Sequence, residues 1–300
     1  MFKNKANQVR SGWLIAVALI FVFIGQAIFM LPGITLLSII DISSGGTSLQ
    51  FDMENMQSPW LILFTQGAGT LGGIAATLVI FRAINKKNPN KLGVQGPAKD
   101  FWFGLFLGAV SITVIFLILL LTGDITLLTS LLSPTFTLYT ISYLILFILV
   151  GFFEEMFFRG YVMQTLASRG NEKWVLYIVS ALIFSLVHLG NPNVSVFGLI
   201  NIALVGVLFA YMFDATKSLL LPIGYHITWN FFQGNVFGFP VSGTKPYGLY
   251  AIDVSNGNTI LTGGTFGLEG GLLATIMIGL GFIATNLYAR NRTVKGIYTN

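Results

Sequence analysis

The sequence predicts an all-α, polytopic membrane protein of about eight transmembrane helices with both termini cytoplasmic. Three observations predict it. Hydrophobic residues make up 54% of the 300 and charged ones only 9%, with a mean hydropathy of +0.79; soluble domains carry about a quarter charged residues. The apolar residues fall into eight runs, most of them close to the roughly 20 residues that cross a hydrocarbon core. The basic residues sort by connection: with the connections numbered alternately from the inside, the inner segments hold all of the 16 lysines and arginines except Lys245, as the positive-inside rule requires. One span more or fewer would scramble that sorting.

In order, the spans are about 12–38, 60–82, 101–121, 136–158, 174–190, 196–213, 218–236 and 270–289. The first follows a basic start (Lys3, Lys5, Arg10) and lacks a small-residue cleavage site, so it reads as an uncleaved span and not a removable signal peptide. Pro32-Gly33 predicts a kink or an end there. The fourth continues as helix to Ser168, because Gly170 is the next stop signal. Gly69/Gly73 and Gly104/Gly108 suit close helix contacts. The segment 83–100 is a basic inner loop, a topology signal that also rests on anionic headgroups. The long outer loops, about 41–59 and 237–269, are rich in Gly, Ser, Thr and Asn. Residues 1–300 form a single membrane domain, with 136–236 as its core. Cysteine is absent, which excludes disulfides and thiolate metal sites.

The stretch that stands apart is Glu154-Glu155-Met156-Phe157-Phe158-Arg159-Gly160, after an uncharged run from Ile125 to Phe153. An ionised side chain near a bilayer centre costs roughly 2.5–3.5 kcal/mol on insertion scales. Such residues persist where they pair, line a wet cavity or do chemistry. Glu155 and Arg159 are four apart and form an ion pair. Glu154 is turned about 100° away, which leaves it free to act. Both histidines, His188 and His226, also lie in spans, and His226 and Asn230 share a helix face. Glu154 and His188 are equally far from the turn near Asn171, so the antiparallel fourth and fifth helices bring them level. His226 reaches that depth if this hairpin projects about 13 Å past the inner surface; cysteine labelling at Gln164 and Lys173 reports on that projection.

A carboxylate facing an imidazole holds and deprotonates a water, and a second imidazole with a carboxamide stabilises an oxyanion. The same atoms also suit a zinc site, with Glu154, His188 and His226 as ligands and a water in the open position; the first scheme needs no cofactor. Every aspartate falls in a loop or tail, away from both histidines, which excludes a serine–histidine–aspartate triad.

Glu154-Glu155-x-x-x-Arg159, Phe184-x-x-x-His188 and His226-x-x-x-Asn230, in this order on three spans, resemble the three signatures of the CAAX-protease and bacteriocin-processing family, the type II CAAX prenyl endopeptidases. The resemblance covers about 136–236 and extends to the Gly-rich entry of the last helix, 263–271. It implies an intramembrane endopeptidase opening to the cytosolic side. Glu154 and His188 would activate the water, His226 and Asn230 would stabilise the oxyanion, and Glu155 and Arg159 would support them. The implied partners are a peptide or protein substrate and the lipid bilayer, with no nucleic acid, in a multi-pass protein of a bacterial cell membrane. The rivals are a non-catalytic bacteriocin-immunity or peptide-binding membrane protein and a transporter with a Glu154–His188 proton relay. Elsewhere, Glu269 is expected to meet the dipole of the last helix, Asn191-Pro192-Asn193 to turn between spans, and Asn201 to bond between helices.

Overall fold

A computed structural model describes residues 2–4, 6–43, 59–255, 257–290 and 292. Eight long helices follow the eight runs: α1 Ser11–Ser43, α2 Pro59–Ala83, α3 Ala98–Thr122, α4 Leu138–Ala167, α5 Lys173–Val187, α6 Val196–Thr216, α7 Leu220–Phe231 and α8 Leu272–Ala289. Among the described residues, short turns and one two-stranded antiparallel sheet, β1 Thr126–Leu127 with β2 Ile252–Asp253, lie beyond them. The expected loop residues 44–58, with Asp52 and Glu54, lie outside the described residues, as do Lys5 and Lys295.

Among the described residues seven helices, not eight, are long and apolar enough to cross a membrane. The exception is α7. It is prolonged by a π-helical turn, Phe232–Val236, and is buried on every side from Leu221 to Asn230. A central helix needs no lipid-facing stripe, so polar residues replace part of its apolar length. Close glycine contacts seat it. A Cβ on Gly104 would lie 2.2 Å from the Leu221 carbonyl oxygen, and one on Gly108 would lie 2.4 Å from both Thr228 Oγ1 and the Tyr225 carbonyl oxygen. Thr228 Oγ1 in turn donates to the Leu105 carbonyl at 2.8 Å.

Helix ends follow local chemistry. Thr137 and Thr140 form a capping box at the start of α4, which satisfies two otherwise orphaned donors. Gly170 adopts φ +75° just past its end, the left-handed stop that glycine allows. Of the kink or end expected at Pro32-Gly33, the end is absent: α1 runs through both. A Cβ on Gly33 would lie 2.1 Å from the Phe64 carbonyl oxygen, so this glycine serves a close crossing with α2. Asp41, Asp100 and Asp214 stand in helices, correcting their expected place in loops. Asp100 is buried in the first turn of α3 against Tyr288 and Arg292, and Asp214 closes α6 with Lys173 and Lys217.

The basic segment 83–100 packs into the protein and does not only lie at its surface. Leu92 is fully buried, Gln164 Nε2 donates to the carbonyls of Lys91 (2.8 Å) and Leu92 (3.1 Å), and Leu219 N donates to Gly93 O at 2.7 Å. Helix α7 therefore starts recessed beneath this segment, which accounts for the offset between His226 and the α4–α5 hairpin. Gln164 is itself buried, so a label there would report packing; Lys173, largely exposed, remains the informative position.

Candidate active site

Helix α4 changes its winding where its charges begin. Residues Glu155–Met163 are π-helical, a form that marks functional sites more often than chance allows. Glu155 and Arg159 pair at 2.9 Å with both side chains fully buried. The guanidinium also donates to the Gly206 carbonyl at 3.1 Å and lies 4.4 Å from the Phe184 ring centre. Arg159 Nε and Glu155 Oε2 meet no hydrogen-bond partner among the described residues.

Glu155 has a second role that sequence spacing does not reveal. Its Oε1 lies 3.0 Å from His226 Nδ1. A carboxylate only accepts, so Nδ1 carries the proton and Nε2 faces the other way. There Nε2 lies 3.6 Å from Glu154 Oε2. His188 is held in the same manner: its Nδ1 donates to the Phe184 carbonyl at 2.7 Å, which leaves its Nε2 available. Phe209 stacks on His226 at 5.2 Å and Phe184 meets His188 edge-on at 4.8 Å.

Glu154, His188, His226 and Asn230 all line one cavity of about 310 Å³. Asn230 meets no hydrogen-bond partner among the described residues, so its carboxamide is open to that space. Glu154 Oε2 approaches His226 Nε2; the expected facing pair was Glu154 with His188. Asn201 bonds between elements as expected, with Nδ2 donating to the carbonyls of Glu269 (2.8 Å) and Gly271 (3.0 Å), and Thr275 donating to its Oδ1 at 2.7 Å. Among the described residues no three His, Asp or Glu side chains are gathered to hold one metal ion. The zinc arrangement of Glu154, His188 and His226 does not fit as these side chains are placed.

Glu269 departs from expectation. Gly271, without a side-chain cap, begins α8. Glu269 instead turns into the cavity wall, where Gln233 and Ser242 (3.3 Å) donate to it. Gln233 was legible in retrospect: His226, Asn230 and Gln233 recur at helical spacing on one face of α7. Burial raises the Glu269 pKa from an ordinary 4.5 to about 6. The folded state thus favours the protonated carboxyl, a contribution fully present below 4.5 and lost as pH rises through about 6. The difference is about 2 kcal/mol. Melting temperatures in detergent are expected to fall across that window in the wild type and to fall less in Glu269→Gln. Parallel curves for the two proteins would show that Glu269 does not carry the effect.

Residues 135–232 match the family model described as type II CAAX prenyl endopeptidase Rce1-like. No curated protein and no solved structure matches the chain. The matched segment runs from just before α4 to the end of α7 and contains all four cavity-lining motif residues, so the chain is a multi-pass membrane protein whose residues 135–232 are similar to the Rce1-like type II CAAX prenyl endopeptidases.

Proposed function

We propose that this chain hydrolyses a peptide bond within its membrane domain, with Glu154 as the general base. The observation that supports this best is the meeting of Glu154, His188, His226 and Asn230, from three helices, on one cavity. A water between Glu154 and the free Nε2 of His188 loses its proton to Glu154 as its oxygen attacks the carbonyl carbon. The oxyanion accepts hydrogen bonds from the Asn230 carboxamide and from protonated Nε2 of His226. As the tetrahedral intermediate collapses, Glu154 passes its proton to the leaving amine. Glu155 positions His226, and Arg159 holds Glu155 in place. No step runs through a metal.

The test is cleavage of a peptide library by purified protein. Wild type is expected to cut, and His188→Ala, His226→Ala and Asn230→Ala to lose most turnover while remaining folded. If wild type cuts nothing while the alanine variants still protect cells from a cognate peptide, the immunity reading replaces the enzyme. Activity should survive chelation; loss on chelation with recovery on added zinc would replace the metal-free scheme.

A further inference from the structure

Four carboxylates are buried among the described residues: Asp100, Glu155, Asp214 and Glu269. Three of them have a counterion. Asp100 meets Arg292, Glu155 meets Arg159, and Asp214 meets both Lys173 and Lys217. Glu269 meets no lysine, arginine or histidine among the described residues; its side-chain partners are Gln233 Nε2 and Ser242 Oγ (3.3 Å). Both of these donate, so the arrangement is built around an acceptor, the carboxylate. Glu269 is only 8% exposed, yet it lines the cavity that holds Glu154, His188, His226 and Asn230. A buried charge is costly until it is paired.

Separate elements fix this carboxylate in place. Gln233 is fully buried in the π-helical turn that prolongs α7 and also donates to the Pro240 carbonyl at 2.5 Å. Ser242 and Gly243 are the central residues of a tight turn, in which Val241 N donates to Thr244 O at 2.7 Å and Thr244 N to Val241 O at 2.9 Å. Their φ angles are +45° and +84°, the sign that such a hairpin turn requires at both positions. Serine is uncommon there, and residues held in sparsely populated regions cluster at ligand sites. The turn is clamped from two sides: Gly243 N donates to Phe266 O at 2.8 Å, and a Cβ on Gly243 would lie 1.7 Å from the Pro192 carbonyl oxygen. Asn201 of α6 holds the Glu269 carbonyl at 2.8 Å. The rest of the cavity supplies no lysine or arginine. Much of its wall is apolar, with Phe147, Val150, Val205 and Trp229 among its residues, and a charge is screened least in such surroundings.

We propose that Glu269 is a specificity-determining residue whose carboxylate receives a cationic group of the peptide, either a lysine or arginine side chain or a free amino terminus. This rests on the peptidase reading of the same cavity. The substrate then supplies the counterion that Asp100, Glu155 and Asp214 find within the chain. Hydrogen bonds to charged groups of this kind favour a cationic residue over a neutral one by roughly 10–100-fold. An acidic residue at that position meets a like charge and is rejected.

The test uses N-acetylated peptides that differ only in carrying lysine, arginine, glutamine or glutamate at one position, scanned along the peptide, with the unacetylated peptides as a second arm. In nonionic detergent, wild type is expected to show a kcat/KM roughly 10–100-fold higher for lysine or arginine than for glutamine at one position, and lowest for glutamate. In Glu269→Gln the ratio of lysine to glutamine should fall to near one. If the amino terminus is the cation, acetylation removes the preference and the scanned residue does not matter. Equilibrium binding of the same peptides to wild type and Glu269→Gln gives the same ratios without turnover. Preferential binding by wild type that is lost in Glu269→Gln, without any cleavage, would uphold this subsite and remove the peptidase reading. Equal handling of cationic and neutral peptides by wild type, or a preference that persists in Glu269→Gln, overturns the proposal.

Discussion

Glu154→Gln is expected to lower peptide turnover by about 10²–10⁴-fold, with elution profile and melting temperature unchanged. The carboxamide keeps the shape of the carboxylate and its approach to His226, 3.6 Å away in the parent. It cannot take a proton from water. Glu154 also stands outside the buried Glu155–Arg159 pair and is partly open to the cavity, so its loss leaves no charge stranded in the interior. Single-turnover assays with saturating peptide measure the effect on the chemical step. A variant that turns over within tenfold of wild type would remove Glu154 from the role of base.

Glu155→Ala is expected to act on the fold first. Arg159 and Glu155 are fully buried together, and removing one partner of such a pair costs about 3–5 kcal/mol because the other charge is left uncompensated. Low yield and a lowered melting temperature in detergent are the readouts. The double variant Glu155→Leu with Arg159→Met replaces the pair by apolar groups of similar size and should recover most of the lost stability. It should not recover turnover. Glu155 Oε1 also fixes His226 Nδ1 at 3.0 Å, and no leucine can hold the imidazole in that tautomer. Stability restored together with activity would show that Glu155 only neutralises Arg159 and does not position His226.

Much of the arrangement was legible from spacing. The Glu155–Arg159 pair follows from four residues on one helical face; Glu154 and His188, expected level from equal distances to the Asn171 turn, line one cavity. Asn201 was read as a bond between helices because a carboxamide inside a membrane span needs a partner. Three things were not legible. The π-helical winding of Glu155–Met163 has no sequence period of its own. The contact between Glu155 and His226 spans 71 residues and joins helices that are not neighbours in the chain. Glu269 looked like an acid at a helix start, and nothing local says that its loop folds back to meet Gln233.

What the sequence determined by itself was the class of molecule, the order of its helices, and which polar side chains stand inside the spans. Those depend on hydropathy, on the sorting of basic residues, and on polar groups too costly to keep in lipid without use. Tertiary structure alone decided that His226 meets both carboxylates and that α7 is an interior helix. Each of those depends on how far one helix slides along another. That offset is set by close contacts such as Gly104 against the Leu221 carbonyl and Leu219 N on Gly93 O, between residues far apart in the chain.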